Sequence, residues 1–359
     1  MIIQIQNSSE FLWIPVFTLN DRIYESPFYL SFGTLLLLFY ALIAYIIIKV
    51  CTIFLSIKVF HENMNVLMAW FLLQWFEAIL AKSVIIPYQI GLISIGIEPS
   101  KAFCSWSSFE KDVLIVKNKE EIMPLYIASF FLWHYMASIL FAIVAITIER
   151  VCATLFMEDY ESRSRRYIPI FLIIITNAIT IPYSYFVLHN RLSLLLSYSQ
   201  GVANGTFVFV GYFALWRINL YWRRKMSSTK PGDHDKYSLG RKFQIEENIR
   251  SLQLAKKLVI ASLTYILFTL VILVFSTLQI VPQLNLIYVH YMDNCILLAA
   301  FVMSITLLFC SRSWRRKFKN DLPFVHNFLN TRVSQSNLLI LLSNKDSETY
   351  FEQLKHAWA

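Results

Sequence analysis

Charge is what this sequence has least of. Of its 359 residues only 15% are Asp, Glu, Lys or Arg, against 57% hydrophobic, where a soluble domain carries roughly 25% charged residues. The length alone suits two or three soluble domains, but so few charged groups cannot coat several soluble cores. Glycine is also scarce, at eight in the whole chain, too few and too scattered for a phosphate-cradling loop. Seven histidines show no metal-ligand spacing. Neither catalysis nor a cofactor is expected. The five cysteines, Cys51, Cys104, Cys152, Cys295 and Cys310, do not form a disulfide framework; only Cys104 lies in a long polar loop. No cleavable signal is evident either. The apolar "FLWIPVF" of residues 11–17 is too short and holds a proline, and the first basic residue is Arg22. The first long apolar segment therefore acts as its own insertion signal.

What the chain has in quantity is apolar length. Runs of the roughly 20 residues needed to cross a bilayer occur at about 28–55, 66–90, 123–149, 167–189, 195–220, 257–281 and 286–310. In hydrocarbon only a helix satisfies its own backbone groups, so the reading is an all-α integral membrane protein of seven transmembrane helices. Residues 1–27 form the outer N-terminus, 28–310 the helical domain, 311–330 an amphipathic surface helix and 331–359 the tail. The fifth run is the weakest, diluted by Gln200, Asn204, Gly201, Gly205 and Gly211. It is kept because "FVFVGYFALW" (207–216) cannot stay in water.

Orientation follows from Lys and Arg. Twenty-three basic residues fall on one set of connections and six on the other. The rich set, with the 150–166 loop, the 221–256 loop and the tail, is cytoplasmic, which places the N-terminus outside. Asn7-Ser-Ser9 is then a candidate glycosylation site on the accessible side. The net charge of +9 suits anionic headgroups of the lipid bilayer better than nucleic acid, because the basic residues lie between and after the apolar runs.

Where the third run ends, "ITIERVCATLF" (146–156) changes abruptly from apolar to charged at Glu149-Arg150. A bland account makes Arg150 a headgroup anchor. A sharper one makes the pair a cytoplasmic switch, held to a neighbouring helix at rest and released when the bundle rearranges. "ITIERVCATLFMEDYE" (146–161), "SSEFLWIPVF" (8–17) and "SRSWRR" (311–316) resemble the nematode serpentine receptor class epsilon (Sre) family of chemosensory receptors. The resemblance implies a seven-pass G protein-coupled receptor in the plasma membrane of sensory neurons. Its implied partners are a small-molecule ligand and a heterotrimeric G protein. The family supplies no ligand identity and no binding residues. The chain also departs from rhodopsin-like receptors: its seventh run lacks an Asn-Pro-x-x-Tyr step and its sixth has no interior proline.

Ionisable groups inside a membrane are costly and mark functional hypotheses. Glu77 and Lys82 fall in the second run, His134 in the third, and His290 and Asp293 in the seventh. At 1.5 Å rise per residue, Glu77 lies roughly 16 Å and Lys82 roughly 24 Å from the inner surface, a depth comparable to Asp293. This predicts a polar cluster of Glu77, Lys82, His134 and Asp293, with Lys82 neutralising a carboxylate, contacting ligand or snorkelling outward. Phe130, Trp133, His134 and Asp293 are the candidate ligand pocket, although such aromatic residues more often simply pack.

In the 221–256 loop, Ile245, Ile249 and Leu252 share one face of the helical stretch 243–257. It reads as a solvated extension of the sixth helix, or as one wall of a cleft for a partner helix. Trp314 and Phe318 among Arg312, Arg315, Arg316, Lys317 and Lys319 read as a short helix on the inner leaflet, with Cys310 a candidate palmitoylation site. A seven-helix ligand-gated channel or a transporter remains the alternative to a receptor.

Overall fold

The computed structural model describes residues 1–6, 8–21, 26–57, 59–96, 103–104, 113–156, 165–192, 194–227, 239–278 and 280–321. Nine α-helices lie among these residues: α1 (Pro27–Ser56), α2 (Glu62–Leu73), α3 (Trp75–Gln89), α4 (Met123–Leu155), α5 (Tyr167–Leu188), α6 (Leu194–Ser227), α7 (Leu239–Thr277), α8 (Asn285–Cys310) and α9 (Arg312–Asn320). Proline at the first turns of α1 and α4 suits positions where the missing N–H has no helical partner anyway. The helices α2 and α3 form one crossing, interrupted at Gln74. The break falls at neither Pro87 nor a glycine; beside it the Trp75 indole donates to the Leu297 carbonyl of α8 at 3.0 Å.

Six of these crossings are long and apolar enough, by composition, to span a membrane. The seventh, α6, is 34 residues long and packs against both α4 and α7. One of its glycines has a local use. A Cβ on Gly211 would approach the Thr147 methyl of α4 to 2.9 Å, so glycine permits the close crossing that a side chain would obstruct. The helix α4 is the hub, touching α2, α3, α5, α6 and α7. On the outside, large apolar groups such as Leu35 (63% exposed), Ile174 (60%) and Leu267 (62%) face outward at mid-helix. Water would penalise that surface and lipid does not. The chain is an all-α, integral membrane, seven-helix bundle.

One end of the bundle carries β-structure that apolar periodicity did not predict. Strand β1 (Ile2–Ile5) pairs antiparallel with β2 (Phe11–Trp13), with Ile3 opposite Leu12. Two further strands, β4 (Phe103–Cys104) and β5 (Leu114–Val116), come from the α3–α4 connection. Strand β1 pairs parallel with β5, and β3 (Thr18–Leu19) pairs antiparallel with β4. Ile3, Leu12, Ile14, Val16 and Leu19 are fully buried and continuous with the core between α3, α4 and α8. Residues 1–6 and 8–21 are therefore a packed cap.

At the opposite end, α7 begins at Leu239, well before the apolar run at 257, so the amphipathic stretch is the same continuous helix. Ile245 and Ile249 are buried against Leu220 and Trp222 of α6. The short α9 turns across the bundle end. Trp314 is completely buried beside Phe54 and Phe60, at ring-centroid distances of 4.5 and 5.4 Å, and donates to the Ile57 carbonyl at 3.3 Å. Most basic residues of α9 remain outward, with Lys317 paired to Asp321 at 3.1 Å and the half-buried Arg315 lying 5.8 Å over the Phe309 ring.

Candidate functional site

Two buried polar assemblies stand at opposite ends of the bundle. The first is built around Arg150. Lying near the last turn of α4, Arg150 is 4% exposed and Glu149 is fully buried. The guanidinium donates from Nη2 to Glu149 Oε1 at 2.6 Å and from Nε to the other oxygen of the same carboxylate. This two-pronged pairing matches the planar fork of arginine to a carboxylate. The remaining nitrogen, Nη1, crosses to α7 and donates to Glu247 Oε1 and Asn248 Oδ1, each at 3.3 Å. Glu247 also accepts from the His61 backbone N–H at 2.8 Å.

Asn248 links three helices. Its amide donates to Thr154 Oγ1 of α4 at 3.1 Å and to Asn219 Oδ1 of α6 at 3.2 Å, and its oxygen accepts from Gln244 at 3.1 Å. The Thr154 hydroxyl donates to the Arg150 carbonyl, four residues earlier, at 2.9 Å. Two carboxylates thus share one guanidinium in a nearly water-free pocket, with backbone and amide donors completing the set. Removing the cation would leave uncompensated buried charge, a loss of about 3–5 kcal/mol. Arg150 and Glu149 were visible in the sequence. Glu247, Asn248, Asn219, Thr154 and Gln244 were not singled out, although the last two stand at helical four-residue spacing from Arg150 and Asn248.

Burial next to charged neighbours also affects His61, which sits in the connection before α2. Desolvation is the largest influence and holds its pKa below the ordinary 6.5; Glu247 and Glu149 oppose this and Arg150 adds to it. Its Nδ1 accepts from the Asn63 N–H at 3.3 Å, a bond that requires the unprotonated nitrogen.

The second assembly replaces the single polar cluster expected from depth. The structure separates the four residues into two pairs. Glu77 Oε1 meets His134 Nδ1 at 2.7 Å between α3 and α4. Lys82, 2% exposed, donates to Gln89 Oε1 at 2.8 Å and to the backbone carbonyl of Asp293 at 3.1 Å. Lys82 bonds to that backbone oxygen and acts electrostatically on the Asp293 carboxylate, whose hydrogen bonds come from the N-terminal cap. Phe17 N–H donates to Oδ1 at 2.6 Å and Thr18 Oγ1 to Oδ2 at 3.1 Å. Beside this carboxylate lies a cavity of about 200 Å³, lined by Pro15, Phe17, Leu132, Met136, Leu273 and Met292, with Asp293, Cys295, Ile296 and Leu297 completing the wall.

Of the expected pocket residues, only Asp293 lines this cavity. Phe130 is half-buried against Phe131. Trp133 packs its ring 4.9 Å from Trp13 and donates to the Trp13 carbonyl at 2.7 Å, and His134 is turned to Glu77. The depth argument located Asp293 correctly on α8 but could not foresee a backbone donor from a residue 276 positions away. Cys310 is half-buried at the end of α8, against the Trp314 cluster. Asn7 and the tail beyond Asp321 lie outside the described residues.

Comparison with known proteins gives the bundle its family. The model of the Sre G protein-coupled chemoreceptor family matches residues 1–359. Among curated proteins, serpentine receptor class epsilon-37 of Caenorhabditis elegans is 45% identical, with all of both chains covered. Serpentine receptor class epsilon-38 of the same organism is 34% identical over 99% of this chain and 100% of its own length, and class epsilon-27 is 29% identical over 97% and 96%. No solved structure matches the chain. A full-length family match and a full-length relative well above 30% identity agree with the apolar seven-helix bundle: the chain belongs to the Sre family of G protein-coupled chemoreceptors.

Proposed function

We propose that this receptor sits in the plasma membrane of a sensory neuron with its N-terminus outside and its C-terminus in the cytosol. There it binds a small-molecule cue and signals through a heterotrimeric G protein. One observation carries the mechanism: Arg150 of α4 is tied to Glu247 and Asn248 of α7 across the basic-rich end of the bundle. While those bonds hold, α7 lies against α4 and α6 and the end is closed. Moving α7 outward exchanges them for water and opens a cleft between α4, α6 and α7 that a G protein helix enters.

The energies suit a switch. A hydrogen bond to a charged group is worth about 1.5–3 kcal/mol, and taking two states from 1:99 to 99:1 needs about 5.5 kcal/mol. Two or three such contacts therefore decide which state is populated. The ligand site in this reading is the cavity beside Asp293, at the other end of α8, with Asp293 as its polar anchor. Asn7 is the proposed glycosylation site outside, and Cys310 the proposed palmitoylation site that fixes α9 to the inner leaflet.

The test is Glu247→Gln, which keeps an acceptor for the His61 N–H but removes the charge facing Arg150. In a reporter cell supplied with G proteins, basal output should rise severalfold at unchanged surface abundance. Basal output equal to that of the parent chain would remove the α4–α7 contact from the mechanism. Glycosylation of Asn7 reads the orientation independently, because a chain with its N-terminus in the cytosol is never glycosylated there.

A further inference from the structure

The segment that satisfies Asp293 belongs to the receptor itself. Residues 13–19 run over the mouth of the bundle as a strap between two firm attachments, with Thr18 and Leu19 paired as β3 with β4 and the Met1 ammonium donating to the Ile14 and Val16 carbonyls at 2.6 and 2.9 Å. At one end Trp133 holds the Trp13 carbonyl at 2.7 Å. At the other, Asn20 adopts a left-handed backbone (φ 54°) and clamps the end of α3. Its side chain donates to the Ile95 carbonyl at 2.8 Å and accepts from the Ile95 N–H at 3.1 Å, while its own N–H donates to the Tyr88 carbonyl at 3.0 Å. Between these attachments the strap dips inward. Pro15 and Phe17 form part of the cavity wall, and Phe17 N–H and Thr18 O–H occupy both carboxylate oxygens of Asp293.

An acidic group at that depth needs donors. The strap supplies them where an incoming molecule would otherwise do so. In the same structure the Arg150 end is closed, so the seated strap accompanies the resting arrangement.

Resting on the receptor reading, we propose that the Pro15–Thr18 strap is a resident, displaceable occupant of the ligand site. The natural cue is a small apolar molecule with one N–H or O–H donor that takes the place of the strap on Asp293. The size follows from the cavity. An apolar hole of about 150 Å³ accepts benzene, so the roughly 200 Å³ here suits a molecule of one ring or a short branched chain. The lining supports the apolar part: Leu132, Met136, Leu273, Met292, Ile296 and Leu297 surround the single carboxylate. A molecule without a donor fills the hole but leaves Asp293 to the strap.

Strap release can be followed without any G protein, so failure of the signalling assay and failure of this proposal are distinguishable. Val16, a fully buried residue of the seated strap, is replaced by cysteine in the full-length chain in nanodiscs. Its modification by a charged methanethiosulfonate is timed by peptide mass spectrometry. Val16→Cys should label far more slowly than Ser9→Cys, an exposed position on the same cap. Adding Thr18→Val removes one hydrogen bond to the carboxylate and should speed labelling on the order of tenfold, whereas Thr18→Ser, which keeps the hydroxyl, should leave it slow. Benzyl alcohol, a ring with one donor, should speed labelling of the Val16→Cys chain, and toluene should not. Labelling of Val16→Cys as fast as Ser9→Cys, or no acceleration by Thr18→Val, overturns the displaceable strap. Equal effects of the two ring compounds, including no effect of either, overturn the donor requirement.

Discussion

The two ends of this bundle are closed by different materials. At the Arg150 end, side chains from three long helices and the His61 connection meet in a buried ionic network. At the Asp293 end, the closing piece is an extended strap held by backbone donors and small strands. Helices α4, α6 and α7 cannot leave their network without moving as rods, so opening there is a global rearrangement. A strap of a few residues can lift between its attachments while the helices stay packed, a local opening of lower free energy. In the proposed function these two ends serve as output and input: the input yields to a small molecule, and the output changes the shape of the whole bundle.

Substitutions at the two ends should therefore fail in different ways. The largest effect is expected for Arg150→Ala, which leaves Glu149 and Glu247 buried without their cation. Thermal unfolding of the purified chain in detergent should show a loss on the scale of about 3–5 kcal/mol, with signalling falling because less folded receptor reaches the surface. A Trp13→Ala change removes an equally buried large side chain, 7% exposed, yet acts on the strap. Hydrogen exchange should rise across residues 8–19 while the midpoint of helix unfolding moves little. Were Trp13→Ala to lower that midpoint as far as Arg150→Ala does, the distinction between a local and a global closure would fail.

A smaller effect belongs to Asn248→Ala. It deletes bonds to Thr154 and Asn219 and leaves Asn219 short of a partner, at about 1–3 kcal/mol. Because this loosens α7 against α4 and α6, basal signalling should rise rather than fall. The smallest effect is that of pH at His61. Its folded pKa lies below the ordinary 6.5, so folding favours the neutral ring. The stability it contributes is present above about 6.5 and is lost as the pH falls through the lower folded value. A thermal shift between pH 7.5 and 5.5, reduced in His61→Gln relative to the parent chain, is the expected outcome.

Much of this organisation is legible in the sequence, and the illegible part has physical causes. Lipid demands long uninterrupted helices, so apolar runs locate the crossings. Even the diluted α6 is recovered because "FVFVGYFALW" has no other place to go. Gly211, which weakens that run as a pattern, strengthens it as packing against Thr147. The break at Gln74 left no proline or glycine to read. Arg150 announced itself as a charge at the end of an apolar run, but its partner Glu247 lies 97 residues later, indistinguishable by pattern from its neighbour Glu246. In the structure Glu246 instead pairs with Arg223 at 2.8 Å on the half-exposed side of α6 and α7. Asp293 was legible as costly, and the expected cation, Lys82, does act on its carboxylate electrostatically. The hydrogen-bond donors, a backbone N–H and a hydroxyl on the strap, carry no signature that composition or periodicity detects.

The central claim is that Arg150 and Glu247 hold α7 against α4 and that their separation is the signalling event. Spin labels at Leu155→Cys on α4 and Gln253→Cys on α7, both exposed positions near the network, report that separation by pulsed electron resonance in nanodiscs. The account predicts one short distance in the parent background and a second, longer population when Glu247→Gln is added. An identical single distribution in both would contradict it.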